Sequence, residues 1–296
     1  MNPTAVTTVG TDIRITIVVD NHGCGGLLEE HGFAAWLEVP GHRILFDTGQ
    51  GKALAPNAAA LGCDLRLIDT LVLSHWHYDH SGAVSPVLQS ASACRVCCHP
   101  GAFVPRYSVR PGEAPRTISV ASTDQEAILA LPSHRVQWAN GPQQVFPGIH
   151  LSGPIPRVHP LEDTGGPFFL DSDGNRADTL EDDLALWITT DRGLIIMAGC
   201  CHAGLINTVA HVRAVSGIDR IFGIIGGLHL LNASSARLEA TCAAIQQWLP
   251  EFVVPCHCTG EVATAMLRNE LGTAVSPGYA GFGLVFTESR GLPHQC

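Results

Sequence analysis

Residues 75–80 read His-Trp-His-Tyr-Asp-His and directly follow a short apolar segment. Three imidazoles and one carboxylate therefore lie within six residues, and these side chains bind zinc, iron and manganese in proteins. In an extended segment His75, His77 and Asp79 would fall on one side, and His80 would follow as the chain turns. Four such groups are too closely spaced to bind one ion easily, so the stretch predicts two adjacent divalent ions.

The same stretch resembles the H-x-H-x-D-H signature of the metallo-β-lactamase superfamily. Phe46-Asp47-Thr48-Gly49 resembles the upstream strand-end Asp motif of that superfamily. Further pieces resemble the branch named after 7,8-dihydropterin-6-methyl-4-(β-D-ribofuranosyl)-aminobenzene-5'-phosphate synthase. In chain order they are Asp20-Asn21, Glu30-His31-Gly32, Ser152-Gly153-Pro154-Ile155-Pro156-Arg157, Asp182-Asp183-Leu184-Ala185-Leu186, Gly199-Cys200-Cys201-His202-Ala203-Gly204, Gly226-Gly227-Leu228-His229-Leu230 and His257-Cys258-Thr259-Gly260. The resemblance runs from about residue 13 to about residue 287, and it implies the fold and the metal site more specifically than the substrate.

The composition indicates one well-packed globular chain. Of the 296 residues, 46% are hydrophobic and 15% are charged. Strands alternate with helices, and neither an internal repeat nor a linker is visible. We therefore predict a single α/β domain over residues 1–296, an αββα sandwich of the metallo-β-lactamase type. Irregular insertions are expected near 104–148 and 160–180, and the second segment is so rich in turn formers that it indicates a mobile loop.

The charge and the hydropathy pattern limit the possible partners. A formal net charge of −10 argues against nonspecific nucleic-acid binding, which requires a surplus of Lys and Arg. A small anionic substrate remains compatible, because two divalent cations would dominate the local field. The N-terminus lacks a signal-peptide pattern, and the most apolar stretches are far shorter than the about 20 residues of a membrane span. We expect a cytoplasmic protein that acts on a small molecule, with its oligomeric state left open.

The chain contains eleven cysteines, a high count for a cytoplasmic protein. Their odd number and the chain length argue against a disulfide scaffold, and most are expected to be small buried hydrophobes. One cluster could instead ligate an iron–sulfur cluster with the help of a second close pair. The cysteines concerned are Cys94, Cys97 and Cys98, with Cys256 and Cys258 as the second pair. We favour the simpler interpretation, in which Arg95–Cys98 is an apolar strand.

Two further histidines follow predicted strands and precede predicted helices. His202 follows the strand Leu194–Ala198, and His257 follows the strand Phe252–Val254. Both are expected to be metal ligands. In the commonest pattern of the resembled superfamily a His in a Gly-His turn precedes the last strand pair, and an Asp takes the position of Cys200. This chain lacks both groups, because it has Ser152-Gly153-Pro154-Ile155 at the first place and Cys200 at the second. Either the Cys200 thiolate bridges or binds the second ion, or Cys200 is structural and His202 replaces the missing groups.

The remaining side chains of the predicted site have the following roles. We predict that His75, His77 and His202 hold the first ion, and that Asp79, His80 and His257 hold the second. Asp47, and also His31, would lie behind the ligands, with the Asp47 carboxylate fixing the tautomer of a ligand imidazole. Asp79 would also guide the proton of the attacking water, and His229 would act as a general acid or a substrate contact. Arg157 and His159 are further candidates for substrate binding. Six other histidines are expected to be solvated or locally bonded: His22, His42, His134, His150, His211 and His294.

These residues predict a hydrolase that depends on two metal ions and uses a metal-bound hydroxide on a small metabolite, phosphorylated or not. Two divalent ions would lower the pKa of a bound water to about 7 and polarise the bond under attack. Zinc is the first choice, and iron and manganese suit the same ligands. Two alternatives remain: an iron-dependent oxidoreductase of the dioxygenase or di-iron type, and an iron–sulfur electron carrier.

Overall fold

The computed structural model describes residues 7–9, 12–287 and 291–294, without the side chains of Ala102 and of residues 291–294. Cys296 and the side chain of His294 lie outside the described residues. The strands are β1 (Ile13–Val19), β2 (Ala34–Val39), β3 (His42–Phe46), β4 (Thr70–Val72), β5 (Arg95–Cys98), β6 (Tyr107–Ser108), β7 (Arg116–Thr117), β8 (Val136–Trp138), β9 (Gln143–Phe146), β10 (Ile149–Leu151), β11 (Phe168–Phe169), β12 (Ala185–Thr190), β13 (Gly193–Ala198), β14 (Ile221–Gly227), β15 (Phe252–Cys256), β16 (Gly283–Phe286) and β17 (Gly291–His294). The helices are α1 (Leu54–Ala60), α2 (Tyr78–Ser81), α3 (Val84–Ser90), α4 (Ser122–Leu129), α5 (Leu205–Ser216), α6 (Ser235–Trp248) and α7 (Glu261–Leu271).

Two large sheets are stacked face to face. Their strand orders are β17-β16-β1-β2-β3-β4-β5-β8 and β15-β14-β13-β12-β10-β9. Buried apolar residues such as Ile15 and Leu186 fill the space between the sheets. A second apolar layer joins α1 and α3 to the outer face of the first sheet, and a third joins α5, α6 and α7 to the outer face of the second. This is the predicted αββα sandwich, in which each helix buries its apolar face on a sheet.

The two segments that were expected to be irregular contain a third sheet of three short strands, in the order β11-β6-β7. Segment 104–148 also supplies β8 and β9, which form one edge of each large sheet. The apolar residues in and around β8 and β9 are few and are interspersed with Gln, Pro and Gly, so the sequence shows no strand pattern there. The organisation as a single domain over the whole chain stays a prediction.

The parallel strands bring the predicted ligands to one edge of the sandwich. In the first sheet β4 lies parallel to β3 and β5, and it leads into residues 75–80. In the second sheet β13, β14 and β15 are parallel, and they lead to His202, His229 and His257. Among the described helices, none combines the length and the apolar character that a bilayer crossing requires.

Candidate metal centre

The 75–80 stretch is extended only as far as His77, because the helical turn α2 begins at Tyr78. The prediction that His75, His77 and Asp79 share one side of an extended segment is therefore wrong. His75 Nε2 and His77 Nδ1 lie 3.1 Å apart. Asp79 turns instead towards His257, and 3.6 Å separate its Oδ2 from His257 Nε2. The helical turn thus divides the stretch between two groups of donors.

The first donor group contains three buried imidazoles, those of His75, His77 and His202. The ring centroid of His202 lies 4.8 Å from that of His75 and 5.0 Å from that of His77. Tetrahedral zinc with bonds of about 2.0 Å would hold two ligand nitrogens roughly 3.3 Å apart, which fits the spacing of His75 and His77. Burial lowers the pKa of all three imidazoles well below the usual range. They are therefore neutral, as metal binding requires.

The second donor group contains His80, His257 and Asp79, with Cys200 between the two groups. Cys200 Sγ lies 3.1 Å from His80 Nε2. Cys200 Sγ lies within 4.8 Å of one ring nitrogen each of His80 and His257. It also lies within 4.8 Å of one ring nitrogen each of His75 and His202. This position between the groups is the one that a bridging ligand needs. It is compatible with both interpretations of Cys200 and with His202 as a ligand, and both stay predictions.

Four of these imidazoles have their Nδ1 atom held by an acceptor. The contacts are His75 Nδ1 with Ser74 Oγ at 2.9 Å, His80 Nδ1 with Asp47 Oδ2 at 2.7 Å, His202 Nδ1 with the Thr164 carbonyl at 2.8 Å, and His257 Nδ1 with Asn21 Oδ1 at 2.8 Å. A proton held at Nδ1 leaves the Nε2 lone pair free for a metal ion. Nε2 of His202 and of His257 is buried without a hydrogen-bond partner. The donor set therefore fits metal ions.

Asp47 lies at the centre of this supporting layer. Its carboxylate accepts hydrogen bonds of 2.7 Å from Ser74 N, Ser74 Oγ and His80 Nδ1. One buried carboxylate thus orients a candidate ligand of each group, because Ser74 Oγ in turn contacts His75. Gly199 leaves the necessary space, since a Cβ there would lie 2.0 Å from Ser74 Oγ and 2.6 Å from Asp47 Oδ2.

Backbone strain is concentrated around the centre. Asp47, Cys201, His229 and His257 have φ values of 62°, 60°, 47° and 48°. Non-glycine residues rarely adopt this left-handed region, and each such residue costs on the order of 1 kcal/mol or more. The surrounding hydrogen bonds hold these conformations, and strain of this kind is typical of functional sites.

The carboxylate of Asp79 is charged and contacts His31. His31 Nε2 lies 3.1 Å from Asp79 Oδ2, and the His31 side chain is 51% exposed. Burial by itself would raise the pKa of Asp79. The hydrogen bond from His31 and the neighbouring imidazoles outweigh burial and hold this pKa well below its usual range. His31 therefore supports the carboxylate of Asp79, and its role behind the predicted ligands stays a prediction.

The guanidinium of Arg157 is bonded to two backbone carbonyls. It donates from Nη1 to the His202 carbonyl and from Nη2 to the Leu180 carbonyl, the latter at 3.2 Å. These two bonds position the loop that carries His202, and substrate binding by Arg157 stays a prediction. The backbone N–H of His159 donates to Asn207 Oδ1 at 2.9 Å, which places His159 at the start of α5. A substrate contact of His159 stays a prediction.

His229 lies beside the first donor group. Its ring centroid is 4.3 Å from that of His202, and its Nδ1 is buried without a hydrogen-bond partner. One of its ring nitrogens also lies within 4.8 Å of the sulfur atoms of Cys200 and Cys258. This position is compatible with both roles that the sequence left open, general acid and substrate contact.

Part of the segment that was expected to be a mobile loop forms a wall of the centre. The Phe168 ring centroid lies 5.2 Å from that of His77 and 5.3 Å from that of His202. Gly165 packs so closely on His229 that an added Cβ would lie 1.7 Å from its Cδ2 atom. Together with the Thr164 carbonyl, these contacts join the loop directly to the ligands.

The cysteine cluster does not assemble into an iron–sulfur site. In the part of the chain that the structure describes, no group of three metal-capable side chains includes Cys94, Cys97, Cys98 or Cys256. Burial raises the pKa of Cys94 to about 11 and that of Cys97 to about 12, which keeps both as thiols. The strand Arg95–Cys98 is confirmed as β5.

Several residues that support the candidate ligands could not be identified one by one from the sequence. Ser74 and Thr164 carry no sequence signal, because a hydroxyl before a motif and a loop carbonyl occur everywhere. Asn21 and Asp182 were recognised only as pieces of the resemblance. Asp182 accepts hydrogen bonds from Trp76 N at 2.9 Å and from Arg106 Nη2 at 2.7 Å, and so ties the metal-binding stretch to the third sheet.

Comparison with known proteins agrees with this geometry. Residues 29–186 match the family model of the metallo-beta-lactamase superfamily. The chain belongs to the metallo-β-lactamase superfamily. It is 30% identical over 251 residues to the 7,8-dihydropterin-6-methyl-4-(beta-D-ribofuranosyl)-aminobenzene-5'-phosphate synthase of Methanocaldococcus jannaschii, with 81% of this chain and 85% of that protein covered. An uncharacterized protein of the same organism is also 30% identical, over 86% of this chain and 94% of its own length.

The fold is also found in a crystal structure of a metal-dependent hydrolase of the β-lactamase superfamily. The two structures agree with a TM-score of 0.79 at 29% sequence identity, over 93% of this chain and 100% of that chain. As a member of the metallo-β-lactamase superfamily the chain is expected to bind metal ions, in agreement with the donor set at the sheet edge.

Proposed function

We propose that this metallo-β-lactamase superfamily member is a hydrolase that depends on two divalent metal ions and acts on a small metabolite. The observation that carries the proposal is the convergence of two donor groups on Cys200, with Nδ1 held by an acceptor in four of their imidazoles. His75, His77 and His202 would hold the first ion, and Asp79, His80 and His257 the second, with Cys200 between them. When bound, the ions would acidify a water and polarise the bond to be broken.

The protein's own side chains supply the proton transfers. Asp79 is charged and belongs to the second donor group, so it can also guide the proton of the attacking water. His31 contacts the same carboxylate and keeps it oriented. His229 lies next to His202 and is in position to give a proton to the leaving group. The M. jannaschii relative is named as the synthase of a 5'-phosphate compound. This name supports phosphorylated metabolites as one class of substrate to test, besides lactones and thioesters.

The first experiment is elemental analysis of the purified, untagged protein, handled anaerobically, together with a visible spectrum. We expect about two zinc or manganese ions per chain and no colour. Acid-labile sulfide, or iron together with oxygen-dependent activity, would contradict the hydrolase and favour one of the two redox alternatives.

The second experiment is a screen of phosphodiesters, lactones and thioesters with the metal-loaded protein. The double variant His75→Ala/His77→Ala should lose hydrolysis and one equivalent of metal. His211→Ala is a matched control, because His211 is bonded to the Ser152 carbonyl, away from the centre. Hydrolysis that survives the double substitution would refute the proposal.

A further inference from the structure

Arg237, in the first turn of α6, has a buried guanidinium whose donors are only partly used. The residue is 2% exposed. Its Nη1 donates to Asp163 Oδ1 at 2.6 Å, while Nε and Nη2 have no hydrogen-bond partner. A buried cation with unpaired N–H groups is costly, and such groups normally have acceptors. The free edge of the guanidinium therefore indicates a ligand that carries acceptor oxygens.

The loop that contacts the metal centre also contacts Arg237. Asp163 Oδ1, which accepts from Arg237, accepts a second hydrogen bond of 2.8 Å from Gly165 N. Gly165 packs on His229, and the neighbouring Thr164 carbonyl accepts from His202 Nδ1. An anion in the place of the Asp163 carboxylate would thus lie close to the donor groups while remaining separate from them.

The Asp163 carboxylate that pairs with Arg237 can be replaced by another anion. The nearby Glu162 carboxylate is bound to Ile206 N and Asn207 N at 2.7 and 2.8 Å, in the first turn of α5. The Asp163 side chain is 78% exposed, so its ion pair with Arg237 is half in water. An ion pair with one solvated partner is weak and can be replaced by a better-placed anion.

We propose that Arg237 binds an anionic group of the substrate, a carboxylate or a phosphate separate from the bond that is hydrolysed. Asp163 occupies this position when the substrate is absent. The planar guanidinium suits bidentate binding of either anion through Nη1, which Asp163 then releases, and Nη2, which has no partner. The inference rests on the proposed hydrolase and names its substrate class: a small metabolite with an anionic group at a distance from the scissile bond.

The test compares two chromogenic esters of equal acyl length, p-nitrophenyl pentanoate and the monoester p-nitrophenyl glutarate, which ends in a carboxylate. Arg237→Gln should lower kcat/KM for the glutarate about 10- to 100-fold more than for the pentanoate, the range expected for a charged hydrogen bond. Arg237→Lys should retain part of the preference, because it keeps the charge and loses the fork. Asp163→Asn should raise the preference, since it removes the competing carboxylate.

Arg220→Gln is the matched control, because Arg220 is an exposed arginine paired with Glu251. It should leave the ratio of the two esters unchanged. Equal losses for both esters in Arg237→Gln, or a reduced glutarate preference in Asp163→Asn, would overturn the inference and leave a structural ion pair. If Arg237→Gln does not fold, Arg237→Lys and Asp163→Asn give the same decision.

A binding measurement separates this inference from the proposed hydrolase. If the metal-loaded wild type hydrolyses neither ester, the hydrolase proposal fails on these substrates. Calorimetric titration of the metal-free protein with glutarate and with inorganic phosphate then tests Arg237 alone. Binding that is lost in Arg237→Gln supports the anion site, and equal or absent binding in both proteins refutes it.

Discussion

Asp47→Asn removes one acceptor from the candidate metal centre and nearly preserves the size of the side chain. Asp47 accepts the Ser74 backbone N–H on Oδ1, and the Ser74 hydroxyl and His80 Nδ1 on Oδ2. Asparagine can keep the first bond, but it then presents an NH₂ group to His80. His80 must move its proton to Nε2, the atom that faces Cys200, and a protonated Nε2 does not bind metal. Asparagine also tolerates the φ of 62° at this position.

The expected loss concerns mainly the second ion. Removing a group that orients a ligand histidine typically weakens metal binding 10- to 100-fold, which corresponds to about 1.4 to 2.8 kcal/mol. The first ion should be affected less, because Asp47 reaches His75 only through the Ser74 hydroxyl. The binding constants of the two ions should therefore differ more in Asp47→Asn than in the wild type.

The assay is titration of the metal-free protein with zinc in competition with a chromogenic chelator. A parallel titration with cobalt reports the second ion, because a sulfur-to-cobalt charge-transfer band would follow Cys200. Asp64→Asn is the control, since Asp64 is a surface carboxylate that pairs with Arg66. If Asp47→Asn binds both ions as tightly as the wild type, the hydrogen-bonded layer does not set the tautomers and the reasoning fails.

Three further predictions concern the same centre. Gly199→Ala should abolish binding of both ions, because its Cβ would lie 2.0 Å from Ser74 Oγ; full metal content by elemental analysis would contradict this. Removal of the ions with a chelator should lower Tm by roughly 4 °C for each ion, since an ion present at 100 times its Kd contributes about 2.7 kcal/mol. Calorimetry with and without added zinc measures this shift, and an unchanged Tm would argue against resident ions. Burial raises the pKa of Asp20 from 3.8 to about 7, so the folded metal-free chain holds this proton more tightly than the unfolded chain. The associated stability is fully present below pH 4 and is lost as the pH rises to 7; urea unfolding should show a smaller loss over this range in Asp20→Asn, and equal losses in both proteins would refute the assignment.

The regular elements could be predicted from local sequence patterns. The bounds of β5 agree with the predicted strand Arg95–Cys98, and β13 and β15 contain the predicted strands Leu194–Ala198 and Phe252–Val254. Runs of apolar residues predict these strands because they reflect which parts of the chain are buried. The edge strands β8 and β9 were missed. They are short and only partly buried, so their pairing with the sheets and not their own composition makes them strands.

The supporting contacts of the centre could not be predicted in the same way. His257 receives its acceptor from Asn21, 236 residues earlier, and His202 receives its acceptor from Thr164, 38 residues earlier. The sequence predicted Arg157 as a candidate for substrate binding, yet its Nη1 and Nη2 donate to the backbone carbonyls of His202 and Leu180. Such partners follow from the packing of separate elements, and no local spacing encodes them.

The sequence by itself determined the αββα fold and the identity of the metal-capable side chains, because strand ends and the H-x-H-x-D-H spacing are local features. The tertiary structure alone decided how these side chains divide. The helical turn at Tyr78 separates Asp79 from His75 and His77, and Cys200 comes between the two groups. Only the tertiary structure shows that Arg237 has two N–H donors without a partner, beside the loop that contacts the centre. The physical reason is that hydrogen-bond partners and desolvation depend on the three-dimensional neighbours of a residue, whereas sheet and helix patterns depend on its neighbours in the chain.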